Sequence, residues 1–523
     1  MGGTAMTWSR WRRVRQAVQA LTFALYVYLL FAALQRRAAF PLADLFFRLD
    51  PLAAFGAMLA GRAWIPRLAL ALATLGLTLV VGRVWCGWLC PLGTLLEWVR
   101  FPEAQETRFL GKTWFLTIRK TWFLGKTRFL LLFMILAAAL FGNLTLLVFD
   151  PLTVFTRTMT TAVLPTLNYV VTAVEHALYP TGFLRPLIGG MEALLRGPVL
   201  PVIQPVFAMN ALIALLFLAI LALNVLADRF WCRYLCPLGA LLGLVSKVSF
   251  LRPVIRPACN RCGQCVGACR VDAIDTRQNY EIVPSECTVC LDCLAACPES
   301  GTGVLTRIGF RWQWRPAPAR ETDPTRRQVV GGLVAGALGV ALLRTGIRNK
   351  QPHALLVRPP GVADEQEFLA HCLRCSQCMK VCPTSGLQPV LAEAGLEGVW
   401  TPRLVPRLGQ CDYGCNACGQ VCPSGAIPPL DLDAKRQAVL GMAVVDRNRC
   451  LPWASGVPCI VCEEMCPTPQ KAIRLEEATM IGAQGDPVVV QRPYVLLDLC
   501  IGCGICEYQC PMGGEAAIRV YRR

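Results

Sequence analysis

Regularly spaced cysteines are the residues of this sequence best suited to chemistry. The chain of 523 residues contains 28 of them, and two runs have the spacing C-x2-C-x2-C-x3-C: Cys259, Cys262, Cys265 and Cys269, then Cys287, Cys290, Cys293 and Cys297. In such pairs of runs the first three thiolates ligate one iron-sulfur cubane, and the fourth ligates the cubane of the other run. We therefore predict one cluster on Cys259, Cys262, Cys265 and Cys297, and a second on Cys287, Cys290, Cys293 and Cys269.

Four further runs repeat this pattern in the C-terminal part of the chain, with a longer first gap after Cys411 and after Cys450. The same exchange of fourth ligands predicts four more sets: Cys372, Cys375, Cys378 and Cys422; Cys411, Cys415, Cys418 and Cys382; Cys450, Cys459, Cys462 and Cys510; Cys500, Cys503, Cys506 and Cys466. Zinc sites usually join two separated C-x2-C pairs and have no use for an exchanged ligand. The prediction is six [4Fe-4S] clusters on 24 cysteines, which leaves no cysteine in these runs for a disulfide.

The four remaining cysteines lie in two nearly identical stretches, RVWCGWLCPLG from Arg83 and RFWCRYLCPLG from Arg229. On a helix, Cys86 and Cys90 would share a face, and so would Cys232 and Cys236. Three interpretations stay open. The four thiols form an additional metal or iron-sulfur site, or they relay electrons from quinol or bind copper, or they are small apolar residues used for packing.

The elements that must position these cysteines are apolar. With 54% hydrophobic and 16% charged residues, the chain is too apolar for a wholly soluble protein. Four stretches are long enough to cross a bilayer, namely 17–34, 68 to about 92, 129–149 and 207–227. The net charge of +18 comes from Lys and Arg beside these stretches, which is typical of membrane proteins, so we expect a lipid partner and no nucleic acid.

The membrane part has an internal repeat. Each half is predicted to contain a helix, then Asp-Pro-Leu at Asp50 or Asp150, then a helix that ends in the C-x3-C-P motif. Basic residues in 10–15 and 100–128 predict a cytoplasmic location for both segments and an outer location for the loop 150–206, although the basic loop 36–67 disagrees. The predicted fold is an α-helical membrane domain of duplicated helical hairpins, followed by α+β ferredoxin-like modules.

Four regions follow from these patterns: a four-helix membrane domain in 1–248, a two-cluster ferredoxin in 249–314, a linker in 315–350 and a four-cluster polyferredoxin in 351–523. The linker contains Thr325, Arg326 and Arg327 before a short apolar run, as in twin-arginine export signals. We expect this run to be a retained export signal or a fifth crossing, with a surface helix as the alternative. The first ferredoxin would then be cytoplasmic and the polyferredoxin extracytoplasmic.

Several cofactors are disfavoured by the sequence. It has no C-x-x-C-H motif for a c-type haem, and its histidines, His176, His353 and His371, all lie outside the four predicted spans. A haem with two histidine ligands therefore has no place in the bilayer. No G-x-G-x-x-G follows a predicted strand, so a nicotinamide or flavin fold is unsupported.

Together, the two W-C-x3-C-P motifs, the eight-cysteine ferredoxin, VRPPG at Val357 and CLRCSQCMKVCP at Cys372 resemble a known family. The first 320 or so residues are similar to NapH, and the remainder is similar to NapG and to the methylamine-utilisation ferredoxin, as in a natural fusion of two ferredoxin-type quinol dehydrogenase subunits. The resemblance implies that Cys86, Cys90, Cys232 and Cys236 are quinol-linked and that the other cysteines are cluster ligands. Arg270 departs from the family, in which proline often follows the fourth cysteine.

The resemblance implies a function for the chain as a quinol dehydrogenase subunit. It would oxidise menaquinol or ubiquinol from the membrane quinone pool and pass the electrons to an extracytoplasmic reductase or a cytochrome c-type acceptor. The alternative is an assembly or copper-reducing protein that uses the C-x3-C-P cysteines to mature a redox enzyme. A polyferredoxin that only bridges partner proteins is a third possibility.

Overall fold

The computed structural model of the protein describes residues 5–34, 42–99, 124–180, 182–196, 200–201, 203–255, 259–276, 280–297, 308–313, 317, 323–345, 353–391, 393–481 and 487–523. The basic residues from Arg100 to Lys120 lie outside these ranges. The chain forms two compact units, each built from separate segments. The first contains Met1–Leu29, Leu45–Phe155 and Ala214–Ala341, and the second contains Leu30–Asp44, Thr156–Ile213 and Leu342–Arg523.

Helices dominate the chain up to residue 246. They are α1 (Ala5–Leu34), α2 (Leu45–Arg48), α3 (Pro51–Gly61), α4 (Ala71–Val81), α5 (Pro91–Trp98), α6 (Thr127–Leu140), α7 (Pro151–Thr158), α8 (Leu164–Leu178), α9 (Arg185–Leu195), α10 (Asn210–Ala222) and α11 (Pro237–Ser246). Two segments, Trp11–Ala33 of α1 and Arg326–Leu343 further along the chain, are long and apolar enough to cross a membrane by length and composition. The other apolar helices among the described residues are shorter.

The expectation of one helix through the second apolar stretch is wrong. Helix α4 ends at Val81, because Gly82 adopts a positive φ of 85°. A five-residue π-helical turn, Trp85–Leu89, follows, and a new helix begins at Pro91. Proline has no backbone N–H and cannot continue a preceding helix, which explains the second break.

The ferredoxin part of the first unit contains four short strands. Strand β1 (Leu251–Ile255) pairs antiparallel with β4 (Ile308–Trp312), and β2 (Ile274–Asp275) pairs antiparallel with β3 (Glu281–Ile282). The short helices α12 (Gln264–Ala268) and α13 (Asp292–Ala296) each start inside a cysteine run. Helix α14 (Arg326–Thr345) follows the ferredoxin part.

The second unit has the same small α+β character. Its helices are α15 (Glu365–His371), α16 (Gln377–Lys380), α17 (Ala417–Gln420), α18 (Leu432–Gln437), α19 (Leu451–Ala454), α20 (Val461–Glu464) and α21 (Ile505–Tyr508). The described residues of this unit also form three antiparallel strand pairs: β5 (Leu387–Pro389) with β6 (Pro402–Leu404), β7 (Met442–Val445) with β10 (Ile518–Tyr521), and β8 (Ile473–Ile481) with β9 (Pro487–Val495). The cysteines belong to the hydrophobic core of this unit.

Candidate iron-sulfur sites

The eight cysteines of the first ferredoxin part line two separate cavities. One cavity, of about 320 Å³, is lined by Cys259, Cys262, Cys265 and Cys297. The other, of about 430 Å³, is lined by Cys269, Cys287, Cys290 and Cys293. Each cavity therefore combines three cysteines of one run with the last cysteine of the other run.

The second unit groups its cysteines in the same manner. One cavity of about 380 Å³ is lined by Cys450, Cys459, Cys462 and Cys510, and one of about 350 Å³ by Cys466, Cys500, Cys503 and Cys506. Electrostatic neighbours define the other two groups: Cys422 lies with Cys372, Cys375 and Cys378, whereas Cys382 lies with Cys411, Cys415 and Cys418.

Backbone geometry explains how a short run surrounds a cavity. In four of the runs, both residues that flank the second cysteine have positive φ, for example Val289 at 53° and Leu291 at 65° around Cys290. This left-handed conformation turns backbone N–H groups toward the sulfur atoms, and Val289 N lies 3.4 Å from Cys287 Sγ. N–H···S hydrogen bonds of this kind tune the potential of iron-sulfur clusters.

The last cysteine of four runs, namely Cys269, Cys422, Cys466 and Cys510, also accepts a backbone hydrogen bond. Ala273 N donates to Cys269 Sγ at 3.2 Å, and Ala472 N donates to Cys466 Sγ at 3.3 Å. Burial raises the pKa of Cys450 to about 11 and that of Cys503 to about 11. A thiol with such a pKa is protonated at neutral pH, so cluster assembly must replace its proton with iron.

The four sites of the second unit form a chain of neighbours. Cys378 of the first set interacts electrostatically with Cys418 of the second, and Cys506 of the set at 500–506 interacts with Cys462 of the set at 450–462. Between these pairs, Cys411 N donates a hydrogen bond of 2.8 Å to Cys503 O. The described residues thus place the sites in the order 372, 411, 500 and 450.

The C-x3-C-P cysteines meet in a cavity of their own. Cys86, Cys90, Cys232 and Cys236 line a space of about 310 Å³ in the first unit. The expectation that each pair lies on one helix face is wrong, since each pair spans a helix break. Cys86 and Cys232 belong to the π-helical turns Trp85–Leu89 and Trp231–Leu235, whereas Cys90 and Cys236 are the N-caps of α5 and α11.

The two capping sulfurs accept equivalent hydrogen bonds. Gly93 N lies 3.5 Å from Cys90 Sγ, and Gly239 N lies 3.2 Å from Cys236 Sγ. Among the residues that the structure describes, no three His, Cys, Asp or Glu side chains are close enough to hold a single metal ion.

The turn that carries Cys86 packs directly on the ferredoxin run at Cys287. Trp88 Nε1 donates to Val289 O at 2.9 Å, and Arg83 Nη1 donates to Ser285 O at 2.7 Å. Gly87 lies so close to Thr288 that an added Cβ would be 2.2 Å from the carbonyl oxygen of Thr288. The glycine is therefore required for this contact.

A buried charge network, which the sequence analysis missed, connects the same elements. Glu97 of α5 forms ion pairs with Arg15 at 2.9 Å, with Arg270 at 3.0 Å and with Arg229. Asp292 forms ion pairs with Arg15 and Arg270 at 3.1 Å each. The structure thus gives a reason for arginine after the fourth cysteine of the first run. One signal was available, because Glu97 is the only acidic residue between Asp50 and Glu103.

The two Asp-Pro-Leu motifs form a second buried feature of the first unit. Asp50 caps α3 by accepting hydrogen bonds from Leu52 N and Ala53 N, and Asp150 accepts one from Thr153 N at the start of α7. The two carboxyl groups are direct neighbours and are fully buried. Burial and the proximity of a second carboxyl group disfavour ionisation of both at once. The sequence analysis used these residues only as markers of the repeat.

Comparisons with known proteins agree with the cysteine patterns. A family described as "4Fe-4S binding domain" matches residues 63–108 and 209–256, and two families described as "4Fe-4S dicluster domain" match 370–427 and 457–514. The methylamine utilization ferredoxin-type protein MauM of Methylorubrum extorquens is 37% identical over 212 residues, which are 39% of this chain and 92% of MauM. The chain belongs to the MauM/NapG family of ferredoxin-type proteins.

Other relatives support this assignment. The ferredoxin-type protein NapG of Escherichia coli is 36% identical over 198 residues, 37% of this chain and 80% of NapG. Protein NirI of Paracoccus denitrificans is 44% identical over 89 residues, 16% of this chain and 12% of NirI. No solved structure matches the chain. As a member of the MauM/NapG family, the chain is a ferredoxin-type iron-sulfur protein of electron transfer.

Proposed function

We propose that this chain is a membrane-bound quinol dehydrogenase that carries six [4Fe-4S] clusters and delivers electrons to an extracytoplasmic acceptor. Oxidation of menaquinol or ubiquinol releases two electrons and two protons, and a bound cubane cluster accepts electrons singly. The acceptor would be a reductase or a cytochrome c-type protein. Two sets of contacts, one within each unit, support this assignment.

Within the first unit, segments with the charge of cytoplasmic regions contact the first ferredoxin. Arg15 of the basic N-terminal segment pairs with Asp292 beside Cys293, and Arg128 pairs with Glu286 beside Cys287. Positive residues that flank membrane helices remain predominantly on the cytoplasmic side. These pairs support a cytoplasmic location for the ferredoxin in 249–314.

Within the second unit, the loop predicted to be outside the membrane packs on the polyferredoxin. The backbone at the end of this loop and just after it exchanges two hydrogen bonds with Gln388, since Gln388 Nε2 donates to Val206 O at 2.8 Å and Ala208 N donates to Gln388 Oε1 at 3.0 Å. Arg157, from the same loop, lies over the ring of Trp400 at 3.8 Å. This packing is the observation that carries the proposal, because it favours an extracytoplasmic location for residues 351–523.

In this function the side chains and backbone of the protein hold and insulate the clusters. The cysteines would ligate the iron, the flanking N–H groups would stabilise the sulfur charge, and the hydrophobic core around the cysteines would exclude water. Within the second unit, neighbouring sites share backbone contacts, as between Cys411 and Cys503. None of these residues needs to move during electron transfer.

Anaerobic reduction of the purified full-length chain tests the proposed activity. A reduced naphthoquinol should bleach the visible iron-sulfur absorbance, and the corresponding oxidised naphthoquinone should leave it unchanged. Bleaching by dithionite but not by the quinol would contradict the proposal. Stoichiometric copper on Cys86, Cys90, Cys232 and Cys236 in such a preparation would instead favour the metal-handling alternative.

The location of the two ferredoxin parts needs a separate experiment. An epitope tag after Arg523 should be digested by protease added to intact spheroplasts, and a tag before Met1 should be protected until the membrane is permeabilised. Protection of both tags would refute the extracytoplasmic location of the C-terminal half.

A further inference from the structure

The cavity between the two C-x3-C-P motifs resembles the ferredoxin cavities in its size and in its four cysteines. Its volume of about 310 Å³ is close to the 320 Å³ of the cavity lined by Cys259, Cys262, Cys265 and Cys297. It is lined by four cysteines, and its sulfurs accept backbone N–H donors.

Each half of the cavity is insufficient alone. The matches to the 4Fe-4S binding domain cover 63–108 and 209–256, and each range contains only one C-x3-C-P pair of cysteines. A fully cysteine-ligated cubane needs four thiolates. The structure supplies them by bringing Cys86 and Cys90 together with Cys232 and Cys236.

The surroundings of the cavity are arranged for an anion. Two helix N-termini begin at the sulfur-bearing residues Cys90 and Cys236, where the helix dipole stabilises negative charge. Arg83 lines the cavity, is 2% exposed, and interacts electrostatically with Cys86 and Cys236. A cubane with four thiolates carries roughly two negative charges. Such a charge would be matched by this arginine and the two helix ends.

Several buried donors near the cavity also lack acceptors. The indole N–H of Trp85, a residue that lines the cavity and is 2% exposed, has no hydrogen-bond partner among the described residues. The same is true of the equivalent Trp231 and of Nε of Arg83. Buried N–H groups are almost always paired in folded proteins. Their lack of partners indicates that an acceptor-rich group belongs in this cavity.

We infer that Cys86, Cys90, Cys232 and Cys236 hold a seventh [4Fe-4S] cluster, shared between the two halves of the repeat. Contacts of the π-helical turn with Thr288 and Val289 put this site next to the ferredoxin site that contains Cys287 and Cys290. The presence of the cluster is independent of the electron donor. Its role as the first acceptor of quinol electrons rests on the proposed function.

Iron and acid-labile sulfide counts on the anaerobically purified chain test this inference. Seven clusters give about 28 iron atoms per chain, and six give about 24. The double variants Cys86→Ser/Cys90→Ser and Cys232→Ser/Cys236→Ser should each lose about four iron atoms and four sulfides, and the quadruple variant should lose no more than either. Gly76→Ala, at a position with no heavy atom near an added Cβ, is the matched control and should keep all the iron.

The electron paramagnetic resonance signals of the remaining clusters show whether a variant has folded. If the variants fail to accumulate, the wild-type iron count and maleimide labelling of the four cysteines decide, with protection from labelling expected. About 24 iron atoms in the wild type with all four cysteines labelled would overturn the inference, as would one copper ion per chain that the double variants lose. These outcomes do not depend on whether quinol reduces the protein.

Discussion

Replacement of Glu97 by glutamine tests whether the buried charge network holds the first ferredoxin against the C-x3-C-P helices. The carboxylate of Glu97 is 5% exposed, and its arginine partners Arg15 and Arg229 are 0% and 3% exposed. Glutamine has nearly the same shape but no charge, so the substitution leaves Asp292 as the remaining carboxylate partner of Arg15 and Arg270 and removes the ion pair of Arg229. The expected effect is therefore electrostatic and not a cavity.

The size of the effect follows from the cost of unpaired buried charge. Loss of one partner from a buried ion pair costs about 3–5 kcal/mol, and glutamine should fall near the lower end because it still accepts a hydrogen bond. Since 1.36 kcal/mol corresponds to a factor of ten, local opening of this interface should become on the order of 100-fold more frequent. The global fold of the second unit should be unaffected.

Amide hydrogen exchange in detergent measures this opening directly. Peptides that cover 285–297 and α5 should exchange faster in Glu97→Gln. The matched control is Glu515→Gln, whose carboxylate is 67% exposed and pairs with Arg519 at 3.3 Å. An exposed pair of this kind contributes at most about 1 kcal/mol. Equal exchange of 285–297 in both variants would refute the role assigned to Glu97.

The same network predicts a dependence on pH. Burial alone would raise the pKa of Glu97, but Arg229, Arg15 and Arg270 outweigh it and lower the pKa below 4.5. A group with a lowered folded-state pKa contributes stability that is present above its unfolded pKa and is lost as the pH falls through the folded value. Protection of 285–297 should therefore decrease on acidification below about pH 4.5 in the wild type, and less so in Glu97→Gln.

Three further variants test other contacts. Gly87→Ala should weaken docking of the C-x3-C-P turn on the ferredoxin and slow the reduction of the ferredoxin, as measured by freeze-quench spectroscopy, whereas Gly76→Ala should not. Equal rates of reduction in the two variants would argue against this contact as the electron path. Gly336→Leu should detach α14 from α6, because an added Cβ would lie 2.7 Å from the Cβ of Ala137. Helix α14 should then be more accessible to labelling than in Gly339→Leu, at a position with no heavy atom near an added Cβ. Asp50→Ala should lower the free energy of unfolding by about 1 kcal/mol through loss of a helix cap, and Asp50→Asn should lower it by less. An unchanged free energy of unfolding in both variants would show that the cap is unimportant.

The family and the ferredoxin character of the chain could be predicted because cluster binding depends on local spacing. Three ligands of a cubane lie within seven residues, for example from Cys372 to Cys378, so the sequence shows most of a site directly. The family prediction is confirmed by the relatives MauM and NapG, and the 4Fe-4S character is confirmed by the matched domains.

Other features could not be predicted, because they depend on backbone conformation or on distant residues. Apolar residues lie on both sides of Gly82 and Arg83, and the helix ends where Gly82 adopts a positive φ. The network around Glu97 joins residues as far apart as Arg15 and Asp292, and no periodicity in the sequence indicates such a pairing. A joint site of the two C-x3-C-P motifs was one of three interpretations of the sequence, and tertiary packing brings the four cysteines to one cavity.

The metal content of the full-length chain, isolated without oxygen, tests most directly whether these cysteines bind cubane clusters. Iron and acid-labile sulfide should be present in equal amounts of at least about 24 atoms each per chain, with the Mössbauer spectrum of [4Fe-4S] centres. Colourless protein that contains stoichiometric zinc, or iron far below that amount under the same conditions, would contradict the account.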